Sequence, residues 1–137
     1  MAIYDCFTFF NEIDLLKIRL NQYYNLVDKF VIVECAYTQQ GNKKEFYFEN
    51  NIQTFNQYKD KIVYIKVDKI PNSNKIINNL DWFIENFQRN AILRGLHECT
   101  DEDIIIISDL DEFIKPKILM GLQGKHNIMP PPPATYK

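Results

Sequence analysis

Three carboxylates fall within four positions at Asp109, Asp111 and Glu112, directly after four consecutive isoleucines, Ile104 to Ile107, and Ser108. The aliphatic run reads as a buried strand, and in open α/β sheets ligands bind just outside the carboxyl ends of the strands. Acids gathered there repel one another unless a cation relieves them. Two carboxylates at i and i+2 on an extended chain end can both reach one hard cation and its waters. Oxygen sites of that kind suit Mg²⁺ or Mn²⁺, which share their shell with substrate phosphates. The same acids can also be no more than the polar turn that follows a buried strand and opens the next helix.

Other residues could join such a site. Arg89, followed by Asn90, lies in Phe87–Arg94 ahead of the isoleucine strand, and its planar guanidinium suits a diphosphate or a carboxylate. An exposed, Glu-paired arginine is the plainer alternative. Asn11 and Glu12 follow the aromatic stretch Phe7 to Phe10 at another strand end. They could contact a ligand there or simply start a helix, with Asn11 as its cap. Glu34 ends the second apolar strand of the chain, and Tyr37–Gly41 is a polar loop beyond it. His97 and His126 have no partner at the spacing of a metal site or a triad. Cys6, Cys35 and Cys99 are three in number and far apart, which argues against a disulfide framework and against zinc.

The elements that must hold these residues alternate. Ala2–Phe10 reads as a strand. Glu12–Tyr24 reads as a helix, with Ile13, Leu16, Leu20 and Tyr23 on its inner stripe and Lys17, Arg19 and Asn21 on other faces. Lys29–Cys35 is a continuous apolar run suited to a strand covered on both sides. A short helix is expected around Thr54–Tyr58, a strand at Lys61–Val67 and a long loop at Asp68–Asn79. A strong helix, capped by Asp81, runs through Trp82, Phe83, Phe87, Ile92 and Leu96. A strand follows at Asp103–Ser108, then a short helix opened by Lys115 and Pro116. This order predicts an α/β fold with a mostly parallel sheet flanked by helices. The last strand is expected inside the sheet beside the first, with its isoleucines buried. Packing is expected over residues 1–122, and 123–137, with prolines at 130–133, as a stiff extended tail.

Composition narrows the function classes. The chain has 137 residues, 46% hydrophobic and 25% charged, enough for one domain with its own core. Sixteen Lys and Arg against eighteen Asp and Glu give a net charge of −2, and the isoelectric point is near 5.7. That balance carries no electrostatic footprint for nucleic acid. No run approaches the roughly 20 apolar residues of a membrane span. Met1 to Asp5 lacks the basic start and apolar stretch of a signal peptide, so a cytoplasmic chain is expected.

Four blocks in order resemble glycosyltransferase family 17, the β-1,4-mannosyl-glycoprotein 4-β-N-acetylglucosaminyltransferases: Tyr4–Glu12, Val27–Glu34, Phe87–Ala91 and Asp103–Glu112. The resemblance runs from about Tyr4 to Leu119. It implies a GT-A type, Rossmann-like fold, a UDP-sugar donor, a glycan acceptor and a divalent metal, Mn²⁺ or Mg²⁺. Asp109 and Asp111 match the Asp-x-Asp that would bind metal and, through Asp109, the donor. Glu112 follows as in the family and is the candidate for catalysis. Arg89 and Asn90 match the helix block facing the nucleotide. Asn11, Glu12 and Glu34 match strand-end positions that would line the nucleotide pocket. After Leu119 the chain departs from the family pattern, so an incomplete domain is expected, without the part that would hold the acceptor surface. A Golgi-type anchor is absent from this sequence, and open sheet edges would permit self-association.

Two other readings follow from the same residues. A non-catalytic fragment would bind a nucleotide sugar without turnover. A haloacid dehalogenase-type phosphatase also places Asp-x-Asp after an aliphatic strand, with the first Asp as nucleophile. Against it, Phe113 stands where a small β-branched residue is expected, and no room remains for the later motifs.

Overall fold

From Ile3 to Phe9 successive side chains point to opposite faces: Ile3, Phe7 and Phe9 enter one apolar cluster, Tyr4 and Cys6 another. A sheet covered on both sides follows from that pattern, and a computed structural model describing residues 1–38, 40–70 and 80–124 shows it. Strands β1 (Ile3–Phe9), β2 (Lys29–Cys35), β3 (Ile62–Val67) and β4 (Ile104–Asp109) form one sheet in the order β3-β2-β1-β4. All three neighbouring pairs are parallel. The protein is therefore an α/β fold, and all four carboxyl ends lie along one edge.

Helix α1 (Ile13–Tyr23), a 3₁₀ stretch at Ile52–Lys61 and helix α4 (Pro116–Gly124) cover one face. Leu16, Leu20, Tyr23, Phe55, Tyr58, Leu119 and Leu122 pack there on Phe7, Phe30, Ile32 and Ile106. Short helix α2 (Tyr47–Asn50) adds Phe48. Helix α3 (Leu80–Ala91) and the 3₁₀ turn Ile92–Gly95 cover the other face, where Ile84, Ala91 and Ile92 meet Cys6, Val31, Val33 and Val67. Gly95 permits this turn's close approach: a Cβ there would lie 2.6 Å from Val31 Cγ1. Burial pushes the thiol of Cys6 well up from its ordinary pKa and raises that of Cys35.

Five expectations need correction. Strand β4 does lie beside β1, but it is the edge of the sheet among the described residues. With a neighbour on one flank only, Ile106 is buried, Ile104 and Ile107 are half-buried, and Ile105 is 36% exposed. Asn11 does not cap α1. The helix begins at Ile13 after Glu12, whose Oε1 accepts the backbone N–H groups of Phe10 and Asn11. The short helix around Thr54–Tyr58 is a ten-residue 3₁₀ stretch. Arg19, expected on an outer face, is 1% exposed. Asp81 does not cap α3, which is already helical at Leu80. Most of the 68–79 loop and the proline-rich tail lie outside the described residues. No helix among those residues is long and apolar enough to cross a membrane.

Candidate functional site at the carboxyl edge

A cleft of about 470 Å³ opens where the strands end. Its size is that of a small-molecule site. The end of β1 contributes Thr8, Phe9, Phe10 and Glu12, and the loop after β2 contributes Tyr37, Thr38 and Gln40. Helix α3 supplies Glu85 and Gln88, and the end of β4 supplies Asp109, Leu110 and Asp111. The loop after β2 is pinned by an antiparallel bridge between Tyr37 and Lys43 and turns through Gly41 at φ +89°, where a side chain would be strained.

The sheet's alternation decides where the acids point. Ser108 faces α1 and bonds to Arg19 there, while Asp109, one residue on, faces α3. Arg89 NH2 donates to Asp109 Oδ1 at 2.5 Å and lies 3.5 Å from Glu85. Arg89 is thus half-buried and engaged with two carboxylates, where the sequence also allowed a contact to a diphosphate. Asp111 is exposed in the same cleft. Glu112 folds back on its own turn: its Oε1 accepts from Asp109 N at 2.8 Å, and its N–H donates to Asp109 O at 3.0 Å. Asn11 and Asn90 are exposed and do not line the cleft, whereas Glu12 does.

Glu34 departs furthest from expectation. It is fully buried and does not line the cleft. Its carboxylate accepts from Lys44 Nζ at 2.8 Å, Tyr64 Oη at 2.8 Å, Tyr47 N at 2.6 Å and Phe48 N at 3.1 Å. On β2 the alternation turns Phe30, Ile32 and Glu34 toward the α1 face, under the segment that leads into α2. Burial, with Glu34 beside it, raises the Tyr64 hydroxyl well above its ordinary range, so it remains a donor.

Sequence reasoning missed Arg19. It holds Asp5 in a buried ion pair, with Nε–Oδ2 at 2.9 Å and NH2–Oδ1 at 2.7 Å. A signal was present. Arg19 sits on the stripe of Leu16, Leu20 and Tyr23, and Asp5 sits among the inward positions Ile3, Phe7 and Phe9. Two opposite charges, each breaking an apolar pattern, are natural partners, because buried charges are paired.

Whether the cleft suits a metal is a matter of donor chemistry. Asp109 and Asp111 offer hard carboxylate oxygens at an accessible edge. No group of three His, Cys, Asp or Glu side chains among the described residues is arranged to hold a metal by itself. Two carboxylates completed by substrate oxygens and water is the pattern of Mg²⁺-type sites, so the residues fit such an ion.

A parallel α/β sheet with an acidic cleft at its carboxyl edge defines a class of ligand-binding domains. Within that class, the chain belongs to glycosyltransferase family 17, whose model matches residues 1–130. It is similar to β-1,4-mannosyl-glycoprotein 4-β-N-acetylglucosaminyltransferase of Homo sapiens, at 26% identity over 109 residues, 75% of this chain and 20% of the relative. The proteins of the same name from Rattus norvegicus and Mus musculus are 26% and 25% identical over the same length. The chain thus spans about a fifth of the length of these relatives. No solved structure matches it.

Proposed function

We propose that this chain is the nucleotide-sugar-binding part of a metal-dependent glycosyltransferase that transfers N-acetylglucosamine from a UDP donor to a glycan acceptor. One observation carries the reading: Asp109 and Asp111 stand together in a cleft at the carboxyl edge of a parallel sheet, in a chain of glycosyltransferase family 17. Glu12 and Glu85 line the same cleft, so its walls would repel a bare diphosphate.

Asp109 and Asp111 would hold Mn²⁺ or Mg²⁺. When bound, that ion supplies Lewis-acid neutralisation of the leaving diphosphate. Arg89, at hydrogen-bond distance from Asp109, would yield that carboxylate oxygen to the ion and turn its positive charge to the diphosphate at the same edge. Phe10 and Tyr37 give the cleft aromatic walls. Deprotonating an acceptor hydroxyl is work for a carboxylate. Glu112 is the candidate, although its Oε1 already braces the turn.

Calorimetric titration tests the reading. UDP is expected to bind with Mn²⁺ and much more weakly with chelator. The double variant Asp109→Asn, Asp111→Asn is expected to lose the metal dependence, because the amides keep the shape and drop the charge. Unchanged affinity in that variant would dispose of the metal role. Phosphate release from an aryl phosphate would point to a phosphatase. UDP binding without turnover of UDP-N-acetylglucosamine would leave this chain as a binding part only.

A further inference from the structure

We infer that Arg19 is a positioning residue that sets the geometry of the Asp109–Glu112 turn before any ligand arrives. The inference rests on the role proposed above for Asp109 and Asp111. It grows from a side chain that makes six hydrogen bonds among the described residues. Beyond its two bonds to Asp5, the guanidinium donates from NH2 to Ser108 Oγ at 2.8 Å. NH1 reaches three backbone carbonyls of the turn: Asp109 at 3.3 Å, Leu110 at 2.9 Å and Glu112 at 2.6 Å. The rings of Phe7, Tyr23 and Phe113 pack on it, at 4.7, 5.5 and 5.3 Å from ring centre to guanidinium carbon.

Every face of the guanidinium is therefore occupied, and its position is fixed by rigid neighbours. Asp5 lies within β1 and Arg19 within α1, both buried. The turn is tied down from below through its carbonyls, leaving the two aspartate side chains to the cleft. Tyr23 extends the grip: its hydroxyl donates to Ile114 O, and burial raises that hydroxyl to about 12, so it stays protonated. The charge of Asp5 balances that of Arg19, so the clamp orients the acids without placing an unpaired positive charge beneath a cation.

A lysine could not replace it. An ammonium has three donors radiating from one point, whereas the guanidinium fork spans a carboxylate on one side and a row of carbonyls on the other. Stability alone does not explain the arrangement, because a buried ion pair is often no more stabilising than an apolar pair of the same volume. Groups that orient metal ligands from behind typically affect metal affinity by about 10–100-fold.

The test uses the full chain and the variant Arg19→Lys, with circular dichroism and a thermal melt establishing that it folds. Two readouts follow. Amide hydrogen exchange at residues 109–114 is expected to speed up, while exchange in β2 stays slow. Affinity for UDP with Mn²⁺ is expected to fall by about 10–100-fold, with metal-free affinity unchanged. A folded Arg19→Lys protein with wild-type exchange in the turn overturns the inference. So does faster exchange with wild-type metal-dependent affinity. If the wild-type chain itself lacks metal-dependent UDP binding, the proposed function fails, and the clamp is judged on exchange alone. Should Arg19→Lys not fold, Ser108→Ala removes a single bond of the network. It is then expected to show the same local speeding to a smaller degree, and unchanged exchange overturns the inference.

Discussion

Replacing Glu34 by alanine is expected to destabilise the fold by about 3–5 kcal/mol, the usual cost of breaking a buried ion pair from one side. The magnitude follows from what is left behind. Lys44 remains almost fully buried, its Nζ still bonded to the carbonyls of Cys35 at 3.1 Å and Glu45 at 2.7 Å but without a counter-charge. The N–H groups of Tyr47 and Phe48 and the hydroxyl of Tyr64 lose their acceptor together. Lys44→Ala is expected to cost less, about 1.5–3 kcal/mol, the value of one hydrogen bond to a charged group, because Glu34 keeps its three other donors. The double variant should cost less than the sum of the two, since neither charge is then stranded. Thermal melts followed by circular dichroism read these differences, and at this chain length the Glu34→Ala shift corresponds to roughly 10–20 °C. A loss below about 1 kcal/mol, or strict additivity in the double variant, would refute the anchoring argument. The milder Glu34→Gln variant, where folded, should keep its affinity for UDP with Mn²⁺. A selective loss of affinity would return Glu34 to the ligand site.

Two further outcomes are expected. Arg89→Gln frees Asp109 from a partly exposed ion pair worth about 0.2–1 kcal/mol, so Mn²⁺ alone should bind up to about fivefold tighter by electron paramagnetic resonance, while UDP at saturating Mn²⁺ binds more weakly; unchanged Mn²⁺ affinity would remove Asp109 from the metal. Asp103 accepts the N–H groups of Thr100 at 2.9 Å and Ala2 at 2.8 Å, and those bonds hold its carboxyl below the ordinary carboxylate range. A lowered folded-state pKa gives stability that is present above the ordinary value and fades as pH falls through the folded one. Asp103→Asn should therefore melt below wild type at neutral pH and converge with it in acid, whereas a gap that does not narrow at all as the pH falls through the carboxylate range would assign the effect to packing.

The sequence carried the architecture well where side-chain pattern and burial agree. The run Lys29–Cys35 is apolar on both faces, and β2 has those bounds with strands on both flanks. The acids after Ile107 stand at the carboxyl edge because parallel pairing leaves them nowhere else to be. Position within the sheet was not legible: four isoleucines look alike in a central and an edge strand. Nor was the difference between a carboxylate that lines a cleft and one that braces a fold. Glu34 and Asp109 both close apolar strands. What separates them is the face each meets and the partner that face supplies, Lys44 for Glu34 and Arg89 for Asp109, which no local pattern at the strand end reveals. Arg19 was misplaced for a related reason, since its charge outweighed its position on the apolar stripe.

The alternation of Ser108 and Asp109 has a consequence for how β4 finds its alignment. Hydrophobic side chains ordinarily specify strand register, because a one-residue slip turns the apolar set outward. A homopolymeric isoleucine run on an edge strand gives little such information, since slipping it exchanges isoleucine for isoleucine along most of its length. The polar residues that bracket the run can do what the run cannot. Asp103 grips Ala2 N at one end, and at the other Ser108 meets Arg19 on one face while Asp109 meets Arg89 on the opposite face. Shifted by one, each side chain would meet the wrong helix. The two arginines thus act as a pair of locating pins that index the strand, so the register that aligns the sheet is also the one that completes the acidic cleft.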